Sequence, residues 1–134
     1  MSELTKQTKE WIEKAEHDLG SAKIIFLHLP EYSDTIAFHC QQAVEKALKG
    51  FLTAHDRIFR KTHDLDELSM ACEQIDPTLR TTLETARELT VFAWEFRYPG
   101  SSAIPSSQEA DDALKTAQLV FDEVRRRLFP SIQP

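Results

Sequence analysis

Four polar residues, His39, Gln42, Lys46 and Lys49, recur at steps of three and four along one stretch of the chain. If that stretch is helical, the spacing puts them on one stripe. An imidazole, a carboxamide and two ammonium groups in a row suit phosphate. The lysines supply charge, while His39 and Gln42 supply directional hydrogen bonds. The same stripe also reads as a solvated helix face with ordinary ion pairs such as Glu45–Lys49. A second group, Lys61, His63 and Asp64, stands where a helix begins. Lys61 and the helix N-terminus would attract an anion there, whereas Asp64, acting as a cap, would fill that place with its own carboxylate. A third group, Arg97 and Tyr98, precedes Pro99 at the end of an apolar run. Arg97 has the geometry to clamp a phosphate through two parallel hydrogen bonds, or to pair with an acid on a neighbouring helix.

The elements that must hold these residues read as helices throughout, so the fold class is all-α. Three glycines in 134 residues are too few for the many tight turns of an all-β protein. Helix one is expected over Leu4 to Leu29, on the stripe Ile12, Ala15, Leu19, Ala22, Phe26 and Leu29, and Pro30 stops it. Helix two is expected over Ser33 to Ala54, with Ser33 as its cap. Gly50 lies inside it at a cost of roughly 1 kcal/mol relative to alanine, which implies a close neighbour. The segment from His55 to Thr62 reads as a loop. Helix three begins near Asp64, where Asp64 and Glu67 have capping-box spacing. Asp76 and Pro77 open a fourth helix expected to continue through Phe96. Ser106 and Glu109 open a fifth that runs to about Leu128. Together these predict a single domain over residues 1–134: an antiparallel up-and-down four-helix bundle with one additional short helix.

Charge and composition narrow the partners. The net charge of −6 repels phosphates globally, so any nucleic-acid contact must use a local basic patch. Two patches qualify: Arg57, Arg60 and Lys61 in one loop, and Arg125, Arg126 and Arg127 near the end. Phe92, Trp94, Phe96 and Tyr98 span more than one helix face, which points to an interface between subunits for at least one of them. Cys40 and Cys72 sit in helical patterns far apart and read as buried free thiols. No apolar run approaches the roughly 20 residues of a membrane span, and the polar start MSELTKQTKEW does not read as a signal peptide. A cytoplasmic location without membrane contact is the expectation. No clustering of metal ligands is apparent, and no cofactor is expected.

Three segments carry a family resemblance: AFHCQQAVEKALK at 37–49, KTHDL at 61–65 and FRYP at 96–99, joined by Trp11, Ala15, Asp18 and Leu19. Together and in this order they resemble the HEPN family. The resemblance implies a helical bundle that pairs as a homodimer. It also implies a minimal nucleotidyltransferase as partner, in a toxin–antitoxin-like system, and a nucleotide or RNA as ligand. The catalytic branch of the family contains RNases with an arginine followed a few residues on by a histidine, ahead of the last long helix. Here Arg97 stands in that region, but Tyr98, Pro99, Gly100, Ser101, Ser102 and Ala103 follow, with no histidine. RNA cleavage without a metal needs a group to take the 2′-hydroxyl proton, and histidine does that best near neutral pH. Arg57 and His63 reproduce an arginine–histidine spacing elsewhere. With eight arginines and five histidines in the chain, though, one such pair is expected by chance. The expectation is therefore a dimeric nucleotide- or RNA-associated binding module leaning away from catalysis, with a metal-independent RNase toxin or a ligand-free scaffold as alternatives.

Overall fold

The computed structural model describes residues 2–93, 99 and 104–130. Five helices account for most of these: α1 at Glu3–His28, α2 at Ser33–Ala54, α3 at Leu65–Ile75, α4 at Arg80–Ala86 and α5 at Ser107–Leu128. Short 3-10 turns occupy Pro77–Leu79 and Arg87–Ala93. Among the described residues there is no strand.

α1 and α2 form the tightest pair, and their sequences show why. The faces they turn toward each other and the core are rich in small residues: Ala15, Ala22, Ala37, Ala43 and Ala47 are all fully buried. Side chains this short let two helix backbones approach closely. The register is antiparallel. Ile12 packs at Gly50, and six residues further along α1, Asp18 reaches back to His39 and Lys46. A β-carbon placed on Gly50 would lie 2.9 Å from Ile12 Cδ1 and 3.1 Å from Trp11 Cβ, so the glycine marks the close contact expected of it.

α5 closes the bundle and is latched at both ends. Its N-terminus carries the full capping box: Ser106 Oγ accepts from Glu109 N at 3.0 Å, and Ser106 N donates to Glu109 Oε1 at 2.9 Å. Just before it, the Pro105 carbonyl accepts from Ser33 Oγ at 2.6 Å. At the far end Arg127 Nε donates to Asp76 Oδ2 at 2.9 Å.

Three local expectations are revised. Ser33 is not the cap of α2. That position is Tyr32, which makes no side-chain cap bond, because the Ser33 hydroxyl is spent on Pro105. The cap at α3 is only half a capping box. Asp64 Oδ1 accepts from Asp66 N and Glu67 N, but Glu67 turns away to Arg60 at 2.9 Å. A guanidinium is the stronger partner for a carboxylate than a backbone amide. The expected long fourth helix is a composite of 3-10, α and 3-10 turns. Its second half is held from outside: Arg87 pairs with Glu73 at 2.6 Å and Asp66 at 3.0 Å, and Thr90 Oγ1 accepts from Leu65 N at 3.0 Å. These ties to α3 hold the chain where the tighter turn replaces the α-helix.

Gly50→Leu must push α1 away from α2 or force strained rotamers. A loss of about 2 kcal/mol is expected from overpacking, read as a lower urea midpoint at unchanged slope. A variant as stable as the parent would mean the two helices do not touch there.

Candidate functional site

α2 is buried nearly all round. Its half-exposed side chains include Phe38, His39, Gln42 and Lys46. Beside them two carboxylates each anchor a polar cluster.

The first anchor is Glu45, which is 3% exposed. Its Oε2 accepts from Lys49 Nζ at 2.9 Å. Its Oε1 accepts from His63 Nδ1 at 2.7 Å, Gln41 Nε2 at 3.0 Å and Gln42 Nε2 at 3.4 Å. Burial by itself pushes the Glu45 carboxyl up. The hydrogen bonds from His63, Gln41 and Lys49, with the Lys49 charge, outweigh it and hold the group below its ordinary value of 4.5. Lys49 is itself buried. Its ammonium lies 5.7 Å from the Trp11 ring centroid and 5.9 Å from that of Phe59. Those two rings meet edge to face at 6.1 Å. Cation–π attraction on two sides and a carboxylate on the third compensate the buried charge.

The second anchor is Asp18 on α1. Its Oδ1 takes His39 Nδ1 at 2.9 Å and its Oδ2 takes Lys46 Nζ at 2.6 Å. Burial raises the Asp18 carboxyl, but the His39 and Lys46 hydrogen bonds and charges bring it below its ordinary 3.8. Gln42 stands between the anchors along α2. It bonds Gln41 Oε1 at 2.7 Å as well as Glu45.

The loop from His55 to Asp64 brings the remaining groups to this face. Asp56 adopts a left-handed conformation, φ 54°, which turns the chain away from α2 so that Ile58 is fully exposed. The chain then returns. Gln41 Nε2 donates to the His63 carbonyl at 3.3 Å, so His63 is held at both ring and backbone. Arg60 pairs with Glu67. Arg57 and Lys61 are exposed, with no acid partner among the described residues.

Of the eight residues that the sequence nominates, His39 and Lys46 meet at Asp18, Gln42, Lys49 and His63 meet at Glu45, and Lys61 lies two residues from His63. Arg97 and Tyr98 lie outside the described residues, as do Trp94 and Phe96, while Phe92 is buried. Lys49 does not share the half-exposed surface with the other three members of its stripe, because it turns inward to Glu45. The anchors Asp18 and Glu45, and Gln41 beside Glu45, are what spacing alone passed over as site residues. The available signal was a glutamate and a glutamine inside an otherwise apolar sector of α2. In the C-terminal basic run, Arg126 pairs with Glu123, and Arg127 pairs with Glu123 and Asp76. An open cleft between the Arg87–Ala93 turn and α5 is lined by Glu88, Glu109 and Asp112, with Lys115 as the one cation, which is itself paired with Asp111, so its net charge disfavours a phosphate. Among the described residues no cluster of His, Cys, Asp and Glu could hold a metal ion, and no helix is long and apolar enough to cross a membrane.

An all-helical bundle with two polar clusters along its central helix is the class these features define. The profile of the HEPN domain matches residues 8–127, and the chain belongs to the HEPN family. A segment of 56 residues is 43% identical to a protein of Methanocaldococcus jannaschii named "Putative toxin MJ1304"; the match covers 42% of this chain and 36% of that protein's length. The structure is similar to the crystal structure of TT1696 from Thermus thermophilus, at a TM-score of 0.73 and 28% identity, covering 90% of this chain and 98% of the other. It is also similar to ST0689, described as an archaeal HEPN homologue, at a TM-score of 0.70 and 21% identity, covering 90% and 97%.

Removing Glu45 leaves the Lys49 ammonium buried without its counter-charge, so Glu45→Ala is expected to lose about 3–5 kcal/mol. Arg60→Ala breaks an exposed pair and is expected to lose less than about 1 kcal/mol. Comparable losses in chemical denaturation would show that Glu45 is not an internal anchor. The carboxyls of Asp18 and Glu45 are depressed in the folded state. The stability they contribute is therefore present above their ordinary values of 3.8 and 4.5 and is lost as pH falls through the depressed ones. Melting temperature is expected to be steady near neutrality and to fall below those values, less steeply in Asp18→Asn.

Proposed function

We propose that this protein is a dimeric, toxin-like HEPN module that binds the phosphates of a nucleotide or RNA through the segment Arg57 to His63, and that it works with a small nucleotidyltransferase. The observation that carries the reading is electrostatic. The chain has a net charge of −6, yet residues 57–63, RIFRKTH, hold three cations and a histidine and no acid. Arg57 and Lys61 project into solvent without an acid partner among the described residues, and Arg60 between them pairs with Glu67; other cations without an acid partner, such as Lys6, Lys9, Lys14 and Lys23, are spread along α1 among its acids. An unpaired cation gains more from a phosphate than one that must first leave its own partner. His63 and the half-exposed Gln42 add hydrogen-bonding groups next to those charges. The likeness to the Methanocaldococcus protein supports the toxin-like part of the reading.

The test is fluorescence anisotropy of a labelled single-stranded RNA oligonucleotide, with ATP as competitor, across a salt series. Affinity is expected to fall with added salt, in proportion to the phosphates contacted. Arg57→Glu with Lys61→Glu is expected to weaken binding at least about tenfold, since each reversal turns an attraction into a repulsion. Undiminished binding in that double variant would move the site elsewhere. A sedimentation mass of one chain would remove the dimer from the proposal, and failure to copurify with a nucleotidyltransferase encoded alongside would remove the partner.

A further inference from the structure

We propose that a cavity beside Trp11 on α1 receives a guanine base of the ligand whose phosphates the Arg57–His63 segment holds; this rests on the phosphate-binding reading of that segment. The cavity has a volume of about 240 Å³ and is lined by Gln7, Glu10, Trp11 and Lys14. These four residues fall at steps of three and four, so one flank of the helix presents them all. A pocket for a whole ligand ordinarily measures roughly 300–1,000 Å³. The smaller space here suits one base, with the rest of the ligand held outside.

The cavity is joined to the basic segment through an aromatic pair. The Trp11 ring meets Phe59 edge to face at 6.1 Å. Phe59 stands two residues from Arg57 on one side and two from Lys61 on the other. The start of the segment is pinned to the end of α2. Asp56 N donates to the Thr53 carbonyl at 3.0 Å, and Arg57 N to the Leu52 carbonyl at 2.9 Å, the two bonds that close a helix when the chain turns left-handed after it. Trp11 is fixed as well, with Phe59 against its ring and the Lys49 ammonium 5.7 Å from its centroid. The half-buried ring is therefore in place before a ligand arrives, and stacking a base on it costs little ordering.

The polar lining selects the base. Glu10 and Lys14 stand four residues apart in the order that favours an ion pair, as Asp111 and Lys115 do on α5 at 3.0 Å. They form none among the described residues, and both line the cavity instead. The Glu10 carboxylate accepts and the Lys14 ammonium donates. Gln7 Nε2 donates to Glu3 Oε1 at 3.3 Å, which leaves the Gln7 carbonyl oxygen as a second acceptor. Two acceptors and one donor match the Watson–Crick edge of guanine, where N1–H and the 2-amino group donate and O6 accepts. Adenine, cytosine and uracil each present a single donor group on that edge. The Glu10 charge also repels phosphate, which assigns the base to the cavity and the phosphate to Arg57 and Lys61.

The experiment displaces a labelled single-stranded RNA from the full chain, followed by fluorescence anisotropy, with GMP, IMP, AMP and ribose 5-phosphate as competitors. GMP is expected to compete at least about tenfold better than ribose 5-phosphate, the gain from stacking one base, and better than AMP or IMP, which lack the 2-amino donor. Glu10→Gln should erase the preference for GMP over AMP. In Trp94→Phe, where Trp11 is the one tryptophan left, GMP should quench the emission. A uridine oligonucleotide with one guanosine, set against all-uridine, separates the two sources of the base: tighter binding of the first assigns the cavity to RNA, and equal binding beside a GMP preference assigns it to a free nucleotide. Equal competition by GMP, AMP and ribose 5-phosphate overturns this inference and leaves the phosphate-binding reading intact. A GMP preference that survives Glu10→Gln, or Trp11 emission unchanged at saturating GMP, also overturns it. Failure to bind RNA or any competitor overturns both readings.

Discussion

A carboxylate inside an apolar bundle is tolerable only where its charge and its lone pairs are met, and Glu45 is where this protein meets that condition. Its oxygens take an ammonium, an imidazole and two carboxamides. Each of those partners has a second attachment. Lys49 is held between Trp11 of α1 and Phe59 of the following loop, Gln41 grips the backbone at His63, and His63 leads directly into the capped start of α3. The relative placement of α1, α2 and the loop before α3 thus depends on one buried charge. The energetic weight lies less in the attraction itself, which desolvation largely offsets, than in the cost of leaving any member unmatched.

The Glu45 and Asp18 clusters separate cations that serve the fold from cations that face water. Lys46 and Lys49 occur on one helix, three residues apart, and look equivalent in sequence. One is closed over by aromatic rings and the other is committed to Asp18. Lys61 and Arg57 face water. A ligand that carries negative charge meets these differences before it meets any residue type.

Much of the architecture was legible in the residues. The apolar spacing of α1, α2 and α5, the stop at Pro30, the Ser106 capping box and the close contact at Gly50 all follow from local rules, and those rules operated within single elements. What escaped was decided by tertiary partners. Glu67 left its capping role for Arg60, Ser33 left its own for Pro105, and the fourth helix gave way to tighter turns where Arg87 and Thr90 are tied to α3. The site was legible in the same uneven way. The helical stripe His39, Gln42 and Lys46 and the position of His63 were visible as spacing. That Glu45 gathers His63 across 18 residues, and Asp18 gathers His39 and Lys46 across α1 and α2, is long-range geometry that no local pattern encodes.

Burial has one further effect, on Cys40 and Cys72. Both thiols are free and enclosed, and loss of water around them pushes each up to about 12. Sulfur attacks disulfides, peroxides and metal ions as thiolate, and at neutral pH almost none is present at either position. The two sulfurs behave as apolar filler. Their reduced state reports how tightly the interior is sealed and carries no information about the redox conditions in which the protein works.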